Sequence, residues 1–352
     1  MNIAIRADAS TAIGIGHLMR CLTMAEELKE KSCRVLFISR RLPDNAAAAI
    51  RAKHRLRLLP DDLSWEEDAE LTGDILRRES FRTDRLIVDN YRLDARWETS
   101  LRPYSGKIMV IDDLADRPHD CDLLLDQNYY RDAENRYDGL LPGHCRRFFG
   151  PRFALLRREF REARKRTAPR DGKIRRLFVF FGGTDPTGET LKTLTALREW
   201  CRPDIAADIV VGGDNPRREE IRQACATLPQ ATFHCQIDNI AALMAHADLA
   251  VGTGGTASWE RCSLGLPALL VVAAPNQAEV AANLHAAGAG WLLGDSATVA
   301  AGDIAAALEK AAADQPAVRQ ASQQAARLMG EPGFDGMDAI LQALMEDDHA
   351  AL

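Results

Sequence analysis

The 352-residue chain is short of the signatures by which many enzymes declare themselves. Its eight cysteines (Cys21, Cys33, Cys121, Cys145, Cys201, Cys225, Cys235 and Cys262) form no C-x-x-C pair. Scattered in this way, several within apolar runs, they read as reduced packing residues, neither zinc ligands nor a disulfide frame. A complete G-x-G-x-x-G and a G-x-x-x-x-G-K-[ST] loop are both absent, which argues against nicotinamide and P-loop chemistry. There is no H-x-x-H and no carboxylate cluster to ask for a metal. No apolar run is long enough to span a bilayer and no basic, apolar leader precedes the first strand-like run, so a cytoplasmic protein without a membrane span is expected. A formal net charge of −6 argues against nucleic acid as the main partner.

What remains is the composition of an ordinary soluble protein, 46% hydrophobic and 27% charged, with length for two domains. In the first half, strand-like runs recur at 2–5, 34–38, 56–59, 86–89, 108–112 and 122–126, most of them separated by helix-length segments. That alternation predicts a parallel sheet covered on both faces. A second set at 177–181, 209–211, 232–235, 249–251 and 269–272 predicts a second doubly wound domain. Between them, 151–170 carries Arg152, Arg157, Arg158, Arg161, Arg164, Lys165, Arg166 and Arg170 and reads as a solvated basic helix followed by a linker. The expected domains are 1–165 and 173–346, with hinge motion near 165–173. Helices are expected from Ala301, from Ala317 and over 336–345, and residues 347–352 are expected to fray.

Ligands of such sheets gather at the carboxyl ends of the strands. After the first run comes Arg6-Ala7-Asp8-Ala9-Ser10-Thr11-Ala12-Ile13-Gly14-Ile15-Gly16-His17, a glycine-bearing turn into a helix whose apolar stripe is Leu18, Cys21, Leu22, Ala25 and Leu28. Gly14 and Gly16 let backbone amides approach a ligand, and the helix start favours an anion. His17 falls off the stripe, and a helix amino terminus disfavours imidazolium. The ring is therefore expected to be neutral and able to act as a general base, with Asp8 close enough to orient it. Later strand ends carry Asp89, Asn90, Tyr91, Asp112, Asp113, Asp126, Gln127 and Asn128, of which Tyr91 is singled out. Most residues of this kind are turn formers and caps.

In the second half, Gly252-Thr253-Gly254-Gly255-Thr256 runs into a helix at Ala257-Ser258-Trp259-Glu260. Bare amides and a helix start suit a diphosphate, and Glu260 suits two ribose hydroxyls. Pro275-Asn276-Gln277 opens another helix whose amides are expected to face the same crevice.

The opening R-A-D-A-S-x-x-I-G-x-G-H-x-x-R-C, V-D-N-Y-x-x-D at 88–94, G-P-x-F-A-L-L-R-x-E-F at 150–160, F-G-G-T-D-P at 181–186 and G-T-G-G-T-A-S-W-E at 252–260 resemble the nucleotide-sugar hydrolases of pseudaminic acid biosynthesis. These enzymes cleave UDP from UDP-2,4-diacetamido-2,4,6-trideoxy-β-L-altropyranose and are related to MurG-type glycosyltransferases. The resemblance implies a GT-B-like α/β fold, two Rossmann-like domains facing each other across a cleft. It implies UDP near Gly183, Gly254, Gly255, Ser258, Glu260, Asn276 and Gln277, the sugar near Gly14, Gly16, Arg20, Asp8 and Tyr91, and His17 activating water. It further implies neither cofactor nor metal. Monomer is the working expectation. Related hydrolases of spore-coat or legionaminic-type pathways, a MurG-like glycosyltransferase using a UDP-sugar donor, and a non-catalytic nucleotide-sugar-binding protein are the competing readings.

Overall fold

Thirteen short runs of mostly branched and aromatic residues become strands in the computed structural model, which describes residues 1–8, 16–40, 42, 44–79 and 82–346, the side chains of 44 and 45 excepted. Seven form one sheet: β1 (Asn2–Ala7), β2 (Arg34–Ser39), β3 (Arg55–Leu58), β4 (Thr83–Asp89), β5 (Ser105–Ile111), β6 (Leu123–Asp126) and β7 (Arg146–Phe149). Their order is β3-β2-β1-β4-β5-β6-β7 and every pairing is parallel. Because side chains alternate across a strand, β1 feeds two cores. Ile3, Ile5 and Ala7 pack on one face with Leu18, Cys21, Ala25 and Leu28 of the helix Gly16–Glu30. Ala4 points to the other face, with Leu36, Leu86, Val88 and Trp97.

The remaining six strands, β8 (Arg176–Phe180), β9 (Ala206–Val211), β10 (Ala231–Cys235), β11 (Leu249–Gly252), β12 (Ala268–Val272) and β13 (Gly290–Asp295), form a second parallel sheet in the order β10-β9-β8-β11-β12-β13. Its core gathers Leu177, Val179, Ile209, Val251, Leu269 and Ile304.

The chain divides into one compact unit of Met1–Asn128, Asp132–Arg157 and Asp335–Leu352, and another of Tyr129–Arg131 and Arg158–Phe334. Two details depart from the expected division at 165–173. The helix Gly336–Met345 packs into the core of the first unit through Met337, Ile340, Leu341 and Leu344. Arg170, expected in a linker, is half-buried in the second unit, where it donates to the carbonyls of Ala247 (2.7 Å), Met244 (2.9 Å) and Leu264. Nor is 151–170 one solvated helix. A short turn at Pro151–Phe153 and a seven-residue helix, Arg158–Arg164, flank Ala154, Leu155 and Leu156, which are buried.

Candidate functional site

Strand order in the first sheet reverses between β1 and β4, leaving a gap in helical cover at their carboxyl ends. Register places Ala7 beside Asp89 there. Asp8, directly after β1, and the Asn90-Tyr91 segment after β4 are therefore neighbours for topological reasons.

His17, on the first turn of the helix Gly16–Glu30, is only 8% exposed. Its Nδ1 lies 2.5 Å from Asp89 Oδ1. Arg20, one turn on, grips the same carboxylate with two bonds, Nε to Oδ2 at 2.6 Å and Nη2 to Oδ1 at 2.7 Å. Cys21 adds its Sγ to Oδ2 at 3.4 Å. Burial would raise the Asp89 carboxyl, but the Arg20 guanidinium and then the His17 ring hold it far below the usual carboxylate range. The Cys21 thiol, pushed up by burial and then by Asp89, stays a donor. Tyr91 stands edge-on to the imidazole, ring centroids 4.5 Å apart and planes at 90°. Burial and then Asp113 push its phenol well above the ordinary value, so it too is a neutral donor.

These bonds specify a tautomer. An ionised carboxylate only accepts, so the nitrogen facing it, Nδ1, carries the hydrogen. In the neutral ring Nε2 then keeps its lone pair.

Asp8 does not orient His17. Arg6 holds it with Nη1 to Oδ1 at 2.5 Å and Nη2 to Oδ2 at 3.0 Å; Arg40 N and Asn90 Nδ2 donate to it at 2.8 and 2.7 Å. Arg6 and Arg40 also share Asp68, which accepts Trp97 Nε1 at 3.0 Å. Asp8 thus ties together the carboxyl ends of β1, β2 and β4. Arg20, expected against substrate, is buried and committed to Asp89. Gly16 opens its helix, and Gly14 lies outside the described residues.

In the second sheet the order reverses between β8 and β11, where Phe180 pairs with Gly252. The turn after β8 touches the turn after β9: Gly212 N donates to Gly183 O at 3.0 Å, and a Cβ on Gly212 would lie 2.7 Å from that oxygen. Likewise Gly254 abuts the turn after β12, where a Cβ would meet Gln277 O at 2.8 Å and the Ala281 Cβ at 2.9 Å. Gly255 follows at the same turn. Ser258 is buried and bonded inward, accepting Arg261 Nη2 at 3.0 Å. Arg261, which the motif did not single out, also donates to Thr253 O at 2.6 Å and pins the turn. Burial lowers its guanidinium to about 10. Glu260 is half-buried on the first turn of the helix Ala257–Ser263, Asn276 is exposed, and Gln277 is half-buried with its Oε1 accepting Ala273 N at 3.1 Å.

Among the described residues no group of three or more His, Cys, Asp or Glu side chains is disposed to hold a metal, and no helix is long and apolar enough to cross a membrane.

Two parallel-sheet Rossmann-like units define the GT-B class, and residues 189–332 match the glycosyltransferase family 28 C-terminal domain. The chain shares the fold of Acinetobacter baumannii MurG, with a TM-score of 0.67 at 12% identity over 97% of this chain and 99% of that one. In sequence it is similar to the UDP-2,4-diacetamido-2,4,6-trideoxy-β-L-altropyranose hydrolase of Campylobacter jejuni, 28% identical over 69% of this chain and 81% of the relative. The resemblance carried by the motifs thus extends over most of the chain. It is also similar to the spore coat polysaccharide biosynthesis protein SpsG of Bacillus subtilis, 25% identical over 99% of this chain and all of the relative.

Proposed function

We propose that the protein hydrolyses a UDP-activated sugar, with UDP-2,4-diacetamido-2,4,6-trideoxy-β-L-altropyranose as the substrate and pseudaminic acid biosynthesis as the setting. The observation that carries this reading is the His17–Asp89 pair, which engages Nδ1 with the carboxylate and leaves Nε2 as the nitrogen that would accept a proton. The similarity to the Campylobacter jejuni hydrolase supports the choice of substrate.

In this reading the second unit binds UDP, with the diphosphate on the Gly254-Gly255 turn, the ribose on Glu260 and support from Gly183, Asn276 and Gln277. His17 Nε2 takes a proton from water as the water oxygen bonds to the anomeric carbon. The bond from that carbon to the β-phosphate oxygen breaks, and UDP leaves with the electron pair. UDP is already a stable anion, so the scheme requires neither a general acid nor a metal.

The MurG-like fold favours a second reading, transfer of the sugar to a hydroxyl acceptor. Phosphorus NMR of the protein with this UDP-sugar alone separates the two. UDP release without acceptor, abolished in His17→Asn, is the expected result. Release only on addition of an acceptor overturns hydrolysis in favour of transfer, and tight binding without release leaves a binding protein.

A further inference from the structure

His17 has neighbours besides Asp89. Arg20, which shares the Asp89 carboxylate with the ring, lies with Nη2 3.1 Å from its Nδ1, and the Tyr91 ring stands against its ring. The far ends of both groups turn to one carboxylate two residues beyond β5. Asp113 lies 3.7 Å from Arg20 Nη1 and takes Asn128 Nδ2 on Oδ2 at 3.2 Å, and its charge, after burial, pushes the Tyr91 phenol up.

The geometry points to Asp113 as a positioning residue for His17, acting through Tyr91 and Arg20; this rests on the proposed role of His17. Asp89 fixes the imidazole in its plane through one nitrogen, which leaves rotation about that hydrogen bond and tilt of the ring. An edge-on aromatic neighbour blocks the tilt only if it is itself held, and in this proposal the carboxylate that holds the Tyr91 phenol is Asp113. Arg20 spans both carboxylates, so losing one lets the guanidinium turn on the other. Displacements of about 1 Å at a catalytic group cost on the order of 10²-fold. Asp113 acts one residue removed, which sets a smaller effect.

The test is Asp113→Asn, read by UDP release from the diacetamido UDP-sugar and by the 15N–1H ring signals of His17 in the unliganded protein. We expect kcat to fall roughly tenfold with KM within about twofold of wild type, and the His17 ring signals to shift. Tyr91→Phe should reproduce both effects, the double variant should lose no more than the worse single one, and Asp113→Glu should recover part of the rate. Unchanged kcat and ring signals in a folded Asp113→Asn protein overturn the proposal, as do additive losses in the double variant. Should Asp113→Asn fail to fold, Tyr91→Phe decides by the same two readouts. An active His17→Asn protein would remove the catalytic reading by itself, while the ring signals would still report whether Asp113 holds the imidazole.

Discussion

At the scale of single residues, the proposed chemistry depends on which carboxylate reaches His17. Asp8 and Asp89 both end strands at the same edge, and they differ in what holds them. Asp8 is shared by Arg6, Arg40 and Asn90 and serves the backbone around it. Asp89 accepts His17 and Arg20 and serves the imidazole. Asp89→Asn replaces an acceptor with a group that can also donate, so Nδ1 can be left bare and the hydrogen moved to Nε2. Loss of the productive tautomer should lower kcat by about 10²–10⁴-fold while UDP binding is retained. Steady-state kinetics with calorimetric UDP titration check this, and turnover within tenfold of wild type would remove Asp89 from the mechanism. The sequence made His17 legible, because a histidine between a glycine turn and an apolar helical stripe is out of place as core. It did not make its partner legible. Proximity along the chain favours Asp8, whereas Asp89 arrives by β1–β4 pairing, 72 residues away.

Among elements, the strands buried on both faces were readable as continuous apolar runs, and of the four edge strands β7 and β13 were not. Strand β7 begins with exposed Arg146 and Arg147, and β13 carries Gly290 and Gly294 and is mostly half-buried, so neither shows an uninterrupted apolar run. The contrary error at 151–170 has a similar cause: many arginines hid the buried segment Ala154-Leu155-Leu156. The Gly252–Glu260 turn was legible as a bare-amide turn into a helix, but the reason for Gly254 lies in packing with the turn after β12. Gly254→Ala would drive a methyl into Gln277 O and Ala281. Overpacking of this kind costs about 1–3 kcal/mol, and here the strain falls on both turns proposed to hold UDP. Calorimetry should show UDP affinity reduced at least tenfold with the first unit's melting unchanged; wild-type affinity would place UDP elsewhere.

For the whole molecule, sequence order and spatial membership part company at the carboxyl end. A reading along the chain assigns every residue after 173 to one domain, since nothing in an alanine-rich amphipathic helix says which sheet it covers. The structure returns Gly336–Met345 to the first unit. Arg85 of β4 donates to the carbonyls of Leu344 (2.5 Å) and Glu346 (3.0 Å), capping the helix, and Gly336 approaches the strand-to-turn segment so closely that a Cβ would lie 2.0 Å from Arg152 O. Met337, Ile340, Leu341 and Leu344 are each almost wholly buried there. Full burial of such side chains contributes about 1.5–3 kcal/mol apiece, comparable in sum with the net stability of an ordinary domain. A chain ending at residue 334 should therefore lose the first unit's cooperative melting transition, while the second unit still melts and is still stabilised by UDP. Calorimetry with and without UDP distinguishes the outcomes. An intact first transition in the shortened chain would mean that the helix covers a core already complete without it, and loss of both transitions would mean that the second unit depends on it as well.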